Sequence, residues 1–273
     1  MDKLPSKKLT NNERVLLSLA GIHIDRSNDP KDIPLLPVGA SAMVGPSKSG
    51  KTYTLQKMMF RGFYRFINRQ RYKRWNRIYI VTANLGTGEG WRQFFLRYFG
   101  EVVYVINVDE LLEVYNDGAF RAQECRRTHV SFAHNLIIFD DTSRITDPSL
   151  KEQRQIKYNP VVTTLCQNGR NNGFDSVCLF QDFPDVPMAV WNNCYLIMFA
   201  APENINDRKN HAYPKILDGA LSALPDSIST LTDTQRYAFF NRELNNMNLH
   251  EFVVKLKYEE GNKLKIKLYI FKA

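Results

Sequence analysis

Short, continuously apolar runs recur along this chain, and between them the apolar positions shift to a helical spacing. Residues 38–44 (VGASAMV) predict a buried strand made of small side chains. Beyond it Leu55, Met58, Met59, Phe63, Phe66 and Ile67 recur every three or four residues, the apolar stripe of an amphipathic helix. On the same stretch Lys57, Arg61, Arg65 and Arg69 fall four apart, which predicts a second, cationic stripe. Residues 77–83 (RIYIVTA) and 102–108 (VVYVINV) predict strands, and a helical stretch follows from Asp109. Residues 136–140 (LIIFD) predict a strand that ends in an acid. Residues 148–172 read as largely helical and broken at Pro160, and residues 176–181 and 194–200 predict two more apolar strands. Strands that are apolar along their whole length and alternate with helices predict an α/β fold, with a mostly parallel sheet flanked by helices.

The tail follows a different period. Phe252, Val254, Leu256 and Tyr258 alternate with Val253, Lys255 and Lys257. Past the turn at 259–262, Leu264, Ile266, Leu268 and Ile270 alternate with Lys263, Lys265 and Lys267. This predicts a β-hairpin with one apolar and one lysine-rich face, the lysines guarding a sheet edge or, as the alternative, contacting DNA. The expected organisation is an N-terminal arm over 1–34, a core over 35–200, and a C-terminal helical segment with the hairpin over 201–273.

Composition narrows the class. A chain of 273 residues with 44% hydrophobic and 24% charged residues is long enough to bury a real core. The longest uninterrupted apolar run, residues 194–201, is far short of the roughly 20 residues of a membrane-spanning helix, so no membrane partner is expected. The opening residues MDKLPSKKLTNNER hold no apolar stretch, and no secretory signal is expected. Cys125, Cys166, Cys178 and Cys194 form no C-x-x-C pair, and buried, reduced thiols are the simple expectation. The net charge of +9 is concentrated: residues 51–80 carry nine basic residues and no acid, and the rest of the chain is neutral overall. Such a stripe suits either a phosphate-backbone partner or a solvated helix face.

The chemistry lies at the ends of the predicted strands. Residues 45–52 (GPSKSGKT) fit G-x-x-x-x-G-K-[ST] without departure, between a strand and an amphipathic helix. Glycines let the backbone wrap an anion, and the helix N-terminus turns its amides and its partial positive charge toward it. Gly45, Pro46, Ser47, Lys48, Ser49, Gly50, Lys51, Thr52 and Tyr53 are therefore the candidate nucleotide-binding residues. Lys51 would bridge the β- and γ-phosphates, and Thr52 would hold Mg²⁺, with ATP as the nucleotide. Asp140, at the end of an apolar strand, is the second candidate metal ligand, and its neighbour Asp141 is a candidate to orient the attacking water. The alternative for Asp141 is a cap for the turn at Thr142-Ser143. Gln181, ending the strand after the acid strand, is placed to sense the γ-phosphate or hold the water. Arg170, just before that strand, is a candidate to reach a neighbouring subunit's nucleotide.

This order of motifs, residues 45–52, then 136–141, then Arg170-Asn171 leading into 176–181, resembles the FtsK–HerA superfamily of ring-forming ATPases. It is most similar to the genome-packaging ATPases of poxviruses and other large eukaryotic DNA viruses, virophage forms included. The likeness spans roughly residues 35–200. Where that family carries Arg-His before the glutamine strand, this chain has Arg170-Asn171, and residues 187–192 lack an arginine that cellular relatives often carry. The resemblance implies a RecA-like P-loop NTPase core and a homo-oligomeric ring, hexameric or pentameric. It implies ATP hydrolysis with Mg²⁺ that threads double-stranded DNA through nonspecific backbone contacts. The implied partner is a viral capsid portal or vertex, and the implied location is the host cytoplasm or virus factory, with association to the virion. A small-molecule kinase is a rival, but it needs an acceptor-binding acid soon after the loop, and residues 51–80 have none. A helicase or assembly ATPase of the same superfamily is left open by the sequence.

Overall fold

The computed structural model describes residues 15, 19, 21–27, 29–140, 160–181, 186–200, 230–261 and 263–273. In chain order the elements are β1 (Arg26–Ser27), β2 (Ala40–Val44), α1 (Lys51–Gly62), β3 (Tyr64–Ile67), β4 (Gln70–Lys73), β5 (Trp75–Val81) and α2 (Leu85–Phe99). Then come β6 (Tyr104–Ile106), α3 (Leu111–Arg127), β7 (His134–Phe139), α4 (Pro160–Asn168), β8 (Phe174–Phe180), α5 (Met188–Asn193) and β9 (Leu196–Ala200). The chain closes with α6 (Asp233–Asn245), β10 (Glu251–Glu260) and β11 (Lys263–Lys272).

Among the described residues nine strands form one sheet in the order β1-β11-β10-β9-β2-β8-β7-β5-β6. From β9 to β6 every pairing is parallel, whereas β10 is antiparallel to both β9 and β11. The apolar runs are buried on both faces, and adjacent residues serve different cores. Along β7, Leu136 and Ile138 pack with Leu55 and Met58 of α1 and Trp91 and Phe95 of α2. Ile137 and Phe139 face the other way, toward Leu111 of α3, Val162 of α4, Val190 of α5 and Phe239 of α6. This is the expected parallel α/β sheet between helices, extended by the expected C-terminal hairpin.

Helix α2 is bounded by local chemistry. The Asn84 side chain accepts from the amides of Gly86 and Thr87 at 2.9 and 3.3 Å, and Gly100 ends the helix at φ +67°.

Two patterns resolve differently from their sequence reading. The cationic helical stripe breaks after Arg61, because α1 stops at Gly62 and residues 64–73 form a separate two-stranded ribbon. Asn68 and Arg69 both take positive φ, 51° and 66°, as a two-residue hairpin turn requires. Arg65 and Arg69, with Phe66 and Ile67, therefore belong to the ribbon. Over ten residues the alternation of Tyr64, Phe66 and Tyr72 with polar neighbours overlaps a helical spacing, and either period fits. Lys255 of the tail is not on an edge either: β10 lies between β9 and β11, and Lys255 is only 2% exposed, whereas Lys265 and Lys267 are exposed on β11, which β1 covers only at Ile270 and Phe271. Burial pushes the Lys255 ammonium down to about 8, and the nearby charge of Lys257 adds to the effect. Pairing on both sides settles a strand's edges and not its faces; Lys255 is covered because its cross-strand neighbours, Ile197 and Leu268, belong to the core beneath the helices.

Candidate nucleotide-binding site

Strand β2 delivers the loop at its C-terminal end, where the Gly45 amide bonds the Phe180 carbonyl of β8 at 3.1 Å. A Cβ on Gly45 would stand 2.8 Å from the Cβ of Ala200, so only glycine fits between the loop and β9. Gly50, at φ +94°, turns the chain into α1, and a Cβ there would meet His250 Nδ1 at 2.9 Å. The first intrahelical bond of α1 runs from the Thr54 amide to the Gly50 carbonyl at 2.8 Å. The amides of Lys51, Thr52 and Tyr53 thus precede the helical ladder and sit at its positive end.

Lys51 is 9% exposed, and its ammonium donates to the carbonyls of Gly45 and Pro46 at 2.5 and 2.8 Å. The cation is thereby kept inside the curl of the loop. Asp140 follows β7 directly and is also buried; its amide donates to the Val81 carbonyl at 3.1 Å. Its Oδ2 accepts from the Trp91 indole at 2.8 Å and lies 3.5 Å from the Thr52 hydroxyl. A hydroxyl and a carboxylate facing each other beside a phosphate loop are the hard oxygen donors that Mg²⁺ prefers, so Thr52 and Asp140 fit that metal. Between the two strands lies β8, and Gln181 emerges at its end. The result is a cleft of about 370 Å³ lined by Lys51, Thr52, Asp140 and Gln181, with Gln56, Thr87 and Trp91 closing it.

Four residues from three separate motifs thus share one cleft. Asp141 lies outside the described residues. Arg170 sits elsewhere, on a 3₁₀ turn (Gly169–Asn172), 3.4 Å from the Tyr195 hydroxyl. With Gly39 and Asn193 it lines a second cavity of about 270 Å³. Gly39 precedes β2, so this cavity is at the opposite sheet edge, about 17 Å from the loop along a five-residue strand. Tyr53 is exposed at the first turn of α1, with the Lys57 ammonium 4.5 Å from its ring centre.

Two participants had no signal in the sequence. Trp91 is 2% exposed, held flat by Phe95 and edge-on by Phe94, so its N–H has one fixed direction, toward Asp140. His250 reaches the Ser49 carbonyl with Nδ1 at 3.2 Å from 201 residues away, tying the start of β10 to the loop.

The opposite edge is fixed by a buried carboxylate. Asp175 accepts from the Gly39 amide and Trp75 indole, each at 2.8 Å, from Arg74 at 3.1 Å, and contacts His134 Nδ1 at 3.0 Å. Burial raises its pKa, but the His134 contact, the Arg74 charge and the Gly39 amide outweigh that and hold it below the usual carboxylate range.

A phosphate loop between strand and helix, and an acid strand separated from it by one further strand, define a P-loop α/β fold. Solved structures of similar fold include the genome packaging NTPase B204 from Sulfolobus turreted icosahedral virus 2 in complex with AMPPCP. It is 14% identical, with 84% of this chain and 96% of that chain covered and a TM-score of 0.46. EssC (ATPases 2 and 3) from Geobacillus thermodenitrificans is 10% identical, covering 86% of this chain and 40% of its own, at a TM-score of 0.47. The cytoplasmic domain of the Thermomonospora curvata Type VII secretion ATPase EccC is 12% identical, with 86% and 25% covered, at 0.46. No protein-family model and no curated protein matches the sequence. The chemistry of the site is accordingly read from this chain's own residues.

Proposed function

We propose that this chain is a Mg²⁺-dependent ATPase that translocates double-stranded DNA, working as a ring of identical subunits to package a viral genome into a preformed capsid. The observation that carries the nucleotide chemistry is the convergence of Lys51, Thr52, Asp140 and Gln181 on one cleft beside the phosphate loop. The order of the motifs and the basic segment that follows the loop support the DNA-pumping part.

In this reading the amides of the loop and of the first turn of α1 bind the phosphates, and Lys51 moves from its two carbonyls onto the β- and γ-oxygens. Thr52 and Asp140 hold Mg²⁺, which when bound neutralises charge on the phosphate oxygens. Trp91 orients Asp140. Gln181, between the loop and the acid strand, holds the attacking water, and Asp141 orients it. Arg170 is too far from the nucleotide of its own subunit and would serve only a neighbour's. The capsid vertex or portal is the docking partner, in the host cytoplasm or virus factory.

The test is steady-state ATP hydrolysis with and without duplex DNA, with Lys51→Ala as the blank. Hydrolysis that rises with duplex and disappears in the blank is expected. Hydrolysis indifferent to duplex but coupled to phosphorylation of a nucleoside acceptor would replace the translocase with a kinase.

A further inference from the structure

We propose that the β3–β4 ribbon is the element that grips the duplex, entering the major groove with a phosphate rail on either face. The proposal rests on the translocase reading above and names the surface that reading requires. The ribbon sequence, YRFINRQRYK, holds four cations and no acid. Its strands pair only with each other, and Phe66, Ile67 and Tyr72 are 73, 54 and 45% exposed. An isolated two-stranded ribbon is marginal in water, so bare aromatic and aliphatic side chains on one mark a surface that another molecule covers.

The base of the ribbon is rigid although its tip is bare. Phe63, immediately before β3, is buried, stacks on Phe99 at 4.2 Å and packs against Trp75. Arg74, immediately after β4, is buried too, donating to the carbonyls of Leu36 and Pro37 and to Asp175. The same helix whose N-terminus forms the phosphate loop carries the ribbon at its other end, about 18 Å away over twelve residues.

Charge placement selects the occupant. The register pairs Tyr64 with Lys73 and Phe66 with Arg71, placing these four on one face. Arg65, paired with Tyr72, lies on the other face, and Arg69 is in the turn at the tip. Lys73 pairs with Glu101 at 2.6 Å, whereas Arg65, Arg69 and Arg71 make no ion pair among the described residues. The Arg71 guanidinium carbon lies 3.4 Å from the centre of the Tyr64 ring. A flat partner would meet cations on one face only. Cations on both faces and the tip match a groove walled by phosphates on two sides, and the major groove, about 12 Å wide, admits a two-stranded ribbon.

The experiment follows binding of a fluorescein-labelled duplex of arbitrary sequence by anisotropy over a salt series. It compares the full chain with Arg65→Gln/Arg69→Gln/Arg71→Gln, and with Lys265→Gln/Lys267→Gln as a charge control on exposed lysines of β11. The triple variant is expected to bind roughly a hundredfold more weakly at 0.1 M salt, with the log–log salt slope shallower by about 2.7. The control should lose far less. A thermal melt within a few degrees of the parent shows that the triple variant is folded. Should it not fold, Arg69→Gln alone, in the turn, should reduce the slope by about 0.9. Parental affinity and slope in the triple variant, with duplex still bound, overturn the ribbon proposal and leave the translocase reading standing. An equal loss in the lysine control makes the effect one of net charge and overturns it as well. An unchanged salt slope with a smaller assembly in sedimentation makes the ribbon a contact between copies, which also overturns it. Failure of the parent chain to bind duplex at low salt overturns the translocase reading itself.

Discussion

The link between Trp91 and Asp140 gives the sharpest test of how the cleft is organised. Replacing Trp91 with Phe keeps an aromatic ring against Phe94 and Phe95 and removes only the indole donor and part of the ring. The lost bond is a 2.8 Å contact to a buried carboxylate, a class that contributes about 1.5–3 kcal/mol. The smaller ring leaves a void of tens of Å³, which costs about 1 kcal/mol of stability and is spread through the core rather than focused on the site. Without its donor the Asp140 carboxylate rotates away from the line facing Thr52, and outer contacts of this kind typically shift metal affinity by about 10–100-fold. The assay is the Mg²⁺ dependence of hydrolysis at saturating ATP, with nucleotide binding in chelator measured in parallel. The apparent metal constant should rise by that factor, while metal-free nucleotide binding stays within about twofold. Among the three tryptophans of the chain, only Trp91 lines the nucleotide cleft, so fluorescence quenching on addition of metal and nucleotide should vanish in the variant. An unchanged metal constant in a folded variant would refute the idea that Trp91 sets the Asp140 carboxylate for the metal.

Two further predictions concern buried charge. Asp175→Ala leaves the buried Arg74 guanidinium without its counter-charge and the Gly39 and Trp75 donors without their acceptor, and should destabilise the fold by about 3–5 kcal/mol in urea unfolding. Nucleotide affinity should be unchanged, because the cluster is at the other sheet edge. The depressed Asp175 pKa contributes stability that is present above its unfolded value, near 4, and lost as pH falls through the folded value; Asp175→Asn should abolish that acid-side step. Lys255 is a cost at neutral pH where Asp175 is a gain, although stability again rises with pH. Its folded pKa of about 8 lies below the unfolded value near 10.5, so the unfolded chain binds more protons between the two and stability should climb across that window. Lys255→Met should flatten the climb and add about 1–2 kcal/mol at neutral pH. A flat parental profile from pH 8 to 10.5 would show that Lys255 is solvated.

What the amino-acid order settled by itself was chemistry carried on contiguous residues. The loop at 45–52 is one peptide, so its glycines, lysine and threonine are fixed relative to each other as soon as a strand precedes it and a helix follows. Asp140 and Gln181 were legible because each ends an apolar run, and in a parallel sheet those ends share one edge. The parallel α/β class followed from runs apolar on both faces, and the tail hairpin from strict alternation about a Gly-Asn turn. The tertiary structure decided everything that depends on which distant segments meet. The placement of β8 between β2 and β7 puts Gln181 between the phosphate loop and the acid, and no local pattern encodes a strand order. Trp91 and His250 belong to the site because α2 lies over β7 and β10 pairs with β9; in their own surroundings they read as a core aromatic and a polar loop residue. Residues 63–69 fit a helical stripe as well as a strand because periods of 3.6 and 2 cannot be separated over so few residues, and the pair of positive φ angles at Asn68-Arg69 decides between them. Lys255 was placed on a solvent face by alternation and is buried by β9 and β11, since burial is a property of neighbours and period is a property of the chain alone.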